Sequence, residues 1–126
     1  MNFTRRCQRI YEIGCLACRR HERYSQCQVH HINLDDKSGQ KRLGDEHTIG
    51  LCPWHHDGLP PNGLLMKEAE ELFGPSRKWH SVAFRKKYGS ATAMLAEQNK
   101  LIAEREACVV GRIASLPEAQ KLKVIP

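Results

Sequence analysis

No stretch of this chain approaches the run of about 18 apolar residues that a membrane-spanning helix requires, so no helical span is expected. The start, Met-Asn-Phe-Thr-Arg-Arg-Cys-Gln-Arg, has basic residues but no apolar segment behind them, which argues against a secretory signal. Internal repeats, low-complexity tracts and a second block of distinct composition are also missing, and a length of 126 residues suits a single domain, 1–126. Such a chain buries only a modest core, to which a structural metal would add substantially. Acidic residues are the scarcer sign: 14 Asp and Glu stand against 20 Lys and Arg, a formal net charge of +6. That balance suits a polyanion such as nucleic acid, although plain solubility also accounts for it. Six cysteines without an export signal point to a reducing cytoplasm, where a Cys-x-x-Cys pair is a metal or redox element rather than a disulfide. A thioredoxin-like redox use needs a βαβ context, which the sequence does not show.

What the chain has in excess is nitrogen and sulfur ligands near its centre. His30, His31, His47, His55 and His56 all fall within residues 28–58, just after the Cys15/Cys18 pair. Val29 and Ile32 flank the first histidines and suit a short strand, Gln28 to Asn33. Residues 34–46 have no periodicity and read as a loop, and 47–51 return as a second strand. Pro53 suits the first position of a helix, which Gly58 and the run Pro60-Pro61-Asn62-Gly63 then end. The centre therefore reads strand, loop, strand, helix.

Helices are expected on both sides. Phe3, Cys7, Ile10 and Tyr11 share one face of a helix over 3–13, with Thr4 as its cap and Gly14 as its stop. Its other face shows Arg5, Arg6 and Arg9, either solvated or touching a phosphate. Residues 64–73 form a short acidic helix closed by Gly74-Pro75. Residues 76–89 interleave five basic residues with three aromatics, as nucleic-acid surfaces do and as a core helix with a charged outer face also does. Ser90 caps a longer helix to about Cys108, with Met94, Leu95, Leu101 and Ile102 on its apolar stripe; Ser115-Leu-Pro-Glu118 predicts a last short helix.

Two close-spaced pairs, Cys15-x-x-Cys18 and Cys52-x-x-His55, are the arrangement by which two knuckles fill one zinc tetrahedron. Cys27 is an alternative ligand, while Cys7 and Cys108 read as small buried residues. Successive helical side chains point about 100° apart, so His56 is not expected to serve the ion that His55 holds. A regular strand likewise sends His30 and His31 to opposite faces, and they share a pocket only if it ends or twists there. His30, His31 and His56 then make a second, open site, or two surface histidine pairs without function.

The His-His-Ile of the first strand, the Leu-Cys-x-x-His-His at the helix and the zinc-knuckle pair resemble the HNH, or ββα-metal, nucleases. With Gly-Cys-x-x-Cys-Arg-Arg, Gly-Gln, Thr-Ile-x-Leu and Phe-Arg-Lys-Lys-Tyr-Gly added, residues 14–102 look like the phage recombination-enhancement (Ref-like, RecA-dependent) nucleases. The resemblance implies an α+β fold, a small zinc-stabilised HNH core over 14–58 with helical flanks at 1–13 and 64–126. It implies that His30 and His56 hold a catalytic divalent metal (Mg²⁺, Mn²⁺ or Zn²⁺), and that His31 is the general base of DNA phosphodiester hydrolysis leaving 5′-phosphate and 3′-hydroxyl ends. An imidazole suits that role because it titrates near neutrality. The orienting Asn of the family falls here at His47 or Thr48, so His47 is the candidate for that role, and His80 lies near where Ref-like proteins place another histidine. With DNA as the implied partner, Arg19, Arg20, Lys41, Arg42, Arg77, Lys78, Lys86 and Lys87 are the candidate DNA-binding residues. A RecA filament is the further partner implied, in the cytoplasm of a bacterial host of a phage or prophage. Fourteen residues precede Cys15, so the long basic arm of some relatives is expected to be missing, which would alter RecA dependence. The alternatives are a non-catalytic zinc-ribbon-like DNA-binding module, and a protein-interaction domain using the acidic helix 64–73.

Overall fold

The computed structural model describes residues 1–33 and 41–120. The expected loop thus lies in part (34–40) outside the described residues, as does the chain beyond residue 120. Helix α1 (Phe3–Ile13) leads into a single turn, α2 (Leu16–Arg19), and then strands β1 (Gln28–His31) and β2 (Thr48–Leu51). They pair antiparallel in the register Gln28↔Leu51 to His31↔Thr48, with a bridge between Asn33 and Arg42 beyond the strand ends. Helices α3 (Pro53–Asp57), α4 (Met66–Phe73), α5 (Ser81–Tyr88) and α6 (Ala91–Ala114) follow. The fold is thus a small α+β arrangement around one hairpin.

The hairpin is sandwiched. One face meets the larger core cluster, in which Ile49 and Leu51 pack with Leu16, Trp54, Phe84, Tyr88 and Met94. On the other lie Ile10, Ile13 and Ile102 of α1 and α6, with Val29 against them. Gly50 lets α1 approach: a Cβ there would stand 2.7 Å from Ile10 Cγ2 and 2.8 Å from Cys27 Sγ. The outer edge of β2 is satisfied by side chains rather than by a third strand. Gly50 N–H donates to Gln98 Oε1 at 2.9 Å, and the Arg6 guanidinium donates to Thr48 O and Oγ1, each at 2.7 Å.

Local chemistry sets the element ends. Asn2, not Thr4, caps α1, its Oδ1 accepting from Arg5 N–H at 2.8 Å. Gly14 ends that helix, and Ser90 caps α6 as expected. Helix α6 continues to Ala114, so Ser115 serves its C-terminus, donating its hydroxyl to Arg112 O at 2.8 Å; the helical turn at 118–120 begins after Pro117. Cys108 is exposed and Cys7 half-buried, not buried as the spacing suggested, because α6 turns residue 108 away from the core.

The arginines of α1 point inward. Arg9 pairs with Glu12 at 2.6 Å and with Glu106 at 2.9 Å, Arg105 pairs with Glu12 at 2.9 Å, and Arg5 pairs with Glu106. Glu12 is a local partner of Arg9, three residues on, but periodicity could not show Glu106, which lies about a hundred residues along the chain. Arg9, with only 10% of its side chain exposed, would lose one carboxylate in Glu12→Ala, as would Arg105. Urea unfolding should show a loss of about 1–3 kcal/mol for that variant.

Candidate active site and metal centre

Cys15 and Cys52 are each the N-cap of a helix, and their sulfurs accept the backbone N–H of Cys18 and of His55, both at 3.4 Å. Capping therefore aims two thiols, and the turn that follows supplies Cys18 and His55. Zn–S of about 2.3 Å and Zn–N of about 2.0 Å place sulfurs about 3.8 Å apart, and sulfur and nitrogen about 3.5 Å apart, in a tetrahedron. The four buried side chains fit those values. Cys18 Sγ lies 3.8 Å from Cys52 Sγ, and His55 Nδ1 lies 3.5, 3.4 and 3.2 Å from the sulfurs of Cys15, Cys18 and Cys52. His55 Nε2–H donates to Phe73 O at 2.8 Å, which leaves Nδ1 as the ligand nitrogen. Tyr88 adds a second hydrogen bond to the same carbonyl at 3.2 Å and contacts His21 Nε2 at 2.6 Å. Cys27 stays outside this cage: its Sγ faces Ile10 O at 3.4 Å, and burial pushes its thiol up to about 11.

The second histidine group lies on the hairpin and the last turn of α3. His30 and His56 stack with ring centroids 3.3 Å apart and 14° between planes. His56 Nδ1–H donates to Asp57 Oδ1 at 2.6 Å, which leaves Nε2 as its lone-pair nitrogen. His30 interacts with the Leu51 backbone, and its Nε2 is buried with no hydrogen-bond partner among the described residues. Burial, then the neighbouring His56, pushes His30 down to about 4, and burial lowers His56 as well, so both rings are neutral near pH 7. Two neutral imidazoles, each engaged through one nitrogen, keep the other as a lone-pair donor of the kind a divalent ion takes.

Beside this pair opens a cleft of about 490 Å³, whose wall includes His56, Asp57, Asn33, Arg77, Lys78 and Arg85. The structure thus brings Arg77 and Lys78 to the candidate site, together with Arg85. Arg20 instead pairs with Glu97 at 2.8 Å, and Arg19, Lys41, Lys86 and Lys87 are exposed elsewhere on the surface.

His31 stands on the opposite face of β1 from His30, since its ladder partner is Thr48 and its ring lies 5.7 Å from that of Phe3 on α1. Its Nε2 meets Asp45 Oδ1 at 2.9 Å and its Nδ1 meets Arg42 Nη2 at 2.6 Å. His47 holds the hairpin through its carbonyl, which accepts from Ile32 N–H at 3.0 Å; its Nδ1 is buried without a partner among the described residues. His80 is fully engaged: Ser76 N–H donates to Nδ1 at 3.1 Å, so Nε2–H faces Glu70 at 2.9 Å. It braces α4 against the start of α5.

Sequence reasoning missed Asp57, Asp45 and Arg85. Asp57 carried a signal, because a carboxylate directly after a candidate ligand histidine is a common brace; Asp45 carried none, lying fourteen residues from the histidine it meets. Residues 3–103 match a family model described as recombination enhancement, RecA-dependent nuclease. No curated protein and no solved structure matches the chain.

Proposed function

From the premise that this chain belongs to the recombination-enhancement, RecA-dependent nuclease family, we propose that it is an HNH-type endonuclease that hydrolyses DNA phosphodiester bonds with a divalent metal. One observation carries the reading: His30 stacks on His56, which lines a basic cleft, with one nitrogen of each ring engaged and the other carrying the lone pair. The hairpin followed directly by α3 supports the HNH type, since that order puts both rings side by side. A divalent ion held by His30 and His56 would supply positive charge to the phosphate oxygens and to the departing 3′ oxygen. The sulfur-rich cage of Cys15, Cys18, Cys52 and His55 would hold a structural zinc and set the angle of α3.

The chain's own groups do the rest. Asp57 fixes the His56 tautomer, and Arg77, Lys78 and Arg85 draw the backbone into the cleft. His31 takes the proton from the attacking water. The neutral ring donates Nε2–H to Asp45, so the lone pair sits on Nδ1, which Arg42 covers. Arg42 turning to a phosphate would uncover it. Because β1 sends His30 and His31 to opposite faces, the scissile phosphate must lie over the strand's open end, within reach of both rings. His47, two positions from His30 across the ladder, would steady the loop that carries Asp45. Phosphate contacts do not read sequence, so targeting falls to a partner, and the family description, RecA-dependent nuclease, supports RecA on DNA in that role.

The test is incubation with supercoiled and single-stranded DNA, Mg²⁺ or Mn²⁺, with and without RecA and ATP. Wild type should nick or cut, and folded His31→Ala should be slower by about 10²–10⁴-fold. Cleavage by His31→Ala at the wild-type rate would leave the Asp45–His31–Arg42 cluster a brace of the loop and remove the base from this scheme.

A further inference from the structure

Trp79 is 54% exposed, yet its ring is held in place. Its Nε1–H donates to Gly58 O at 3.2 Å, and a Cβ on Gly58 would stand 2.1 Å from Cδ1 and Nε1. The five-membered ring is therefore seated on the end of α3, while the residue as a whole stays more than half exposed. Lys78 Nζ lies 5.0 Å over the ring. Residues on both sides of this anchor, Asp57 before Gly58 and Lys78 before Trp79, line the basic cleft. An indole fixed at its pyrrole edge and half exposed loses little freedom when something flat is laid on it. Beside a groove that attracts phosphates, the flat group at hand is a nucleobase.

We propose that Trp79 is a stacking platform for an unpaired base of single-stranded DNA, next to the nucleotide whose phosphate enters the cleft. The inference deepens the nuclease reading and rests on it. It assigns the substrate class, because a base inside a duplex is stacked on its neighbours and cannot offer its face to the indole. Leu59 and Val82 are also exposed near this ring, 59% and 69%, and would suit a protein contact. The seated ring and the flanking Arg77, Lys78 and Arg85 favour nucleic acid.

The zinc-loaded full chain, with no other divalent ion, is titrated with three labelled ligands of equal length: oligothymidine, an abasic strand and a duplex. Trp79→Leu keeps an apolar cover on Gly58 but removes the π-face, and should bind oligothymidine about tenfold more weakly while the abasic strand and duplex move less than about twofold. Trp79→Phe should recover most of the difference. Oligothymidine should also quench the wild-type tryptophan emission, since the other tryptophan, Trp54, is only 2% exposed. Unchanged oligothymidine binding by Trp79→Leu, or equal losses for all three ligands, would overturn the proposal and leave the nuclease reading standing. Loss of RecA-dependent cleavage with single-strand affinity intact would place a protein on the ring and overturn it too. Wild type that neither binds nor cuts any DNA would sink both.

Discussion

Cys52→Ser is expected to leave the chain without a cooperative fold. Structural zinc in small knuckle domains contributes about 10–16 kcal/mol of apparent binding free energy, against net stabilities of about 5–15 kcal/mol for ordinary domains. Here the cage joins α2, β2 and α3, elements of only 4, 4 and 5 residues that cannot be expected to hold together alone. The substitution removes a ligand and also weakens the cap that starts α3. The measurement is zinc content by a chromogenic chelator together with near-ultraviolet circular dichroism and a thermal melt. Bound zinc should fall from about one equivalent to near none, with loss of the sigmoidal transition. Cys27→Ser is the control, because that sulfur lies outside the cage and donates to Ile10 O, where a hydroxyl can donate as well. Its melt should stay close to wild type. A cooperative melt of fully chelated wild-type protein at an unchanged midpoint would remove the cage from the stability of this fold.

His30→Ala and His56→Ala should abolish cleavage while the fold survives. Both rings stand outside the zinc cage, so neither change disturbs its ligands. A metal's charge on a developing phosphoryl transition state is worth several kcal/mol, and each 1.36 kcal/mol is a factor of ten, so the expected loss is about 10³-fold. A readout independent of activity separates ligand from bystander. Zinc-loaded wild type should bind about one Mn²⁺ by electron paramagnetic resonance or calorimetry, and each variant should lose that binding without losing DNA affinity by more than about twofold. Asp57→Asn should weaken the same Mn²⁺ binding about tenfold, since it leaves His56 in place but loosens its tautomer. Retained Mn²⁺ binding in both alanine variants would move the ion elsewhere and end the assignment of His30 and His56.

The Cys3His cage was legible from spacing alone because its four side chains come in two local pairs whose geometry is set within one helical turn each. Cys15 and Cys18 straddle α2, Cys52 and His55 straddle the start of α3, and a tetrahedron does the rest. The order of strands and short helix was legible for the same reason, as were Pro53 opening α3, Gly58 closing it and Ser90 capping α6. Periodicity and capping are properties of neighbours in the chain.

What the sequence could not say concerned partners far apart along it. The spacing of Arg5 and Arg9 fits a solvated face, and only the packing of α1 on α6 turns them onto Glu106. Gln98 looks like an ordinary polar position on α6, yet it is fully buried because the edge of β2 needs an acceptor there. The ligand motif offered His30 and His56 for a metal and His31 for the base, and alternation already set His30 and His31 on opposite faces of a strand. Tertiary packing decided what each face meets: α3 delivers His56 to His30, while His31 turns toward Asp45 and Arg42. Local sequence thus determined which atoms can bind a metal; the crossing of helices over one hairpin decided which of them meet, because tertiary contacts depend on the whole path of the chain.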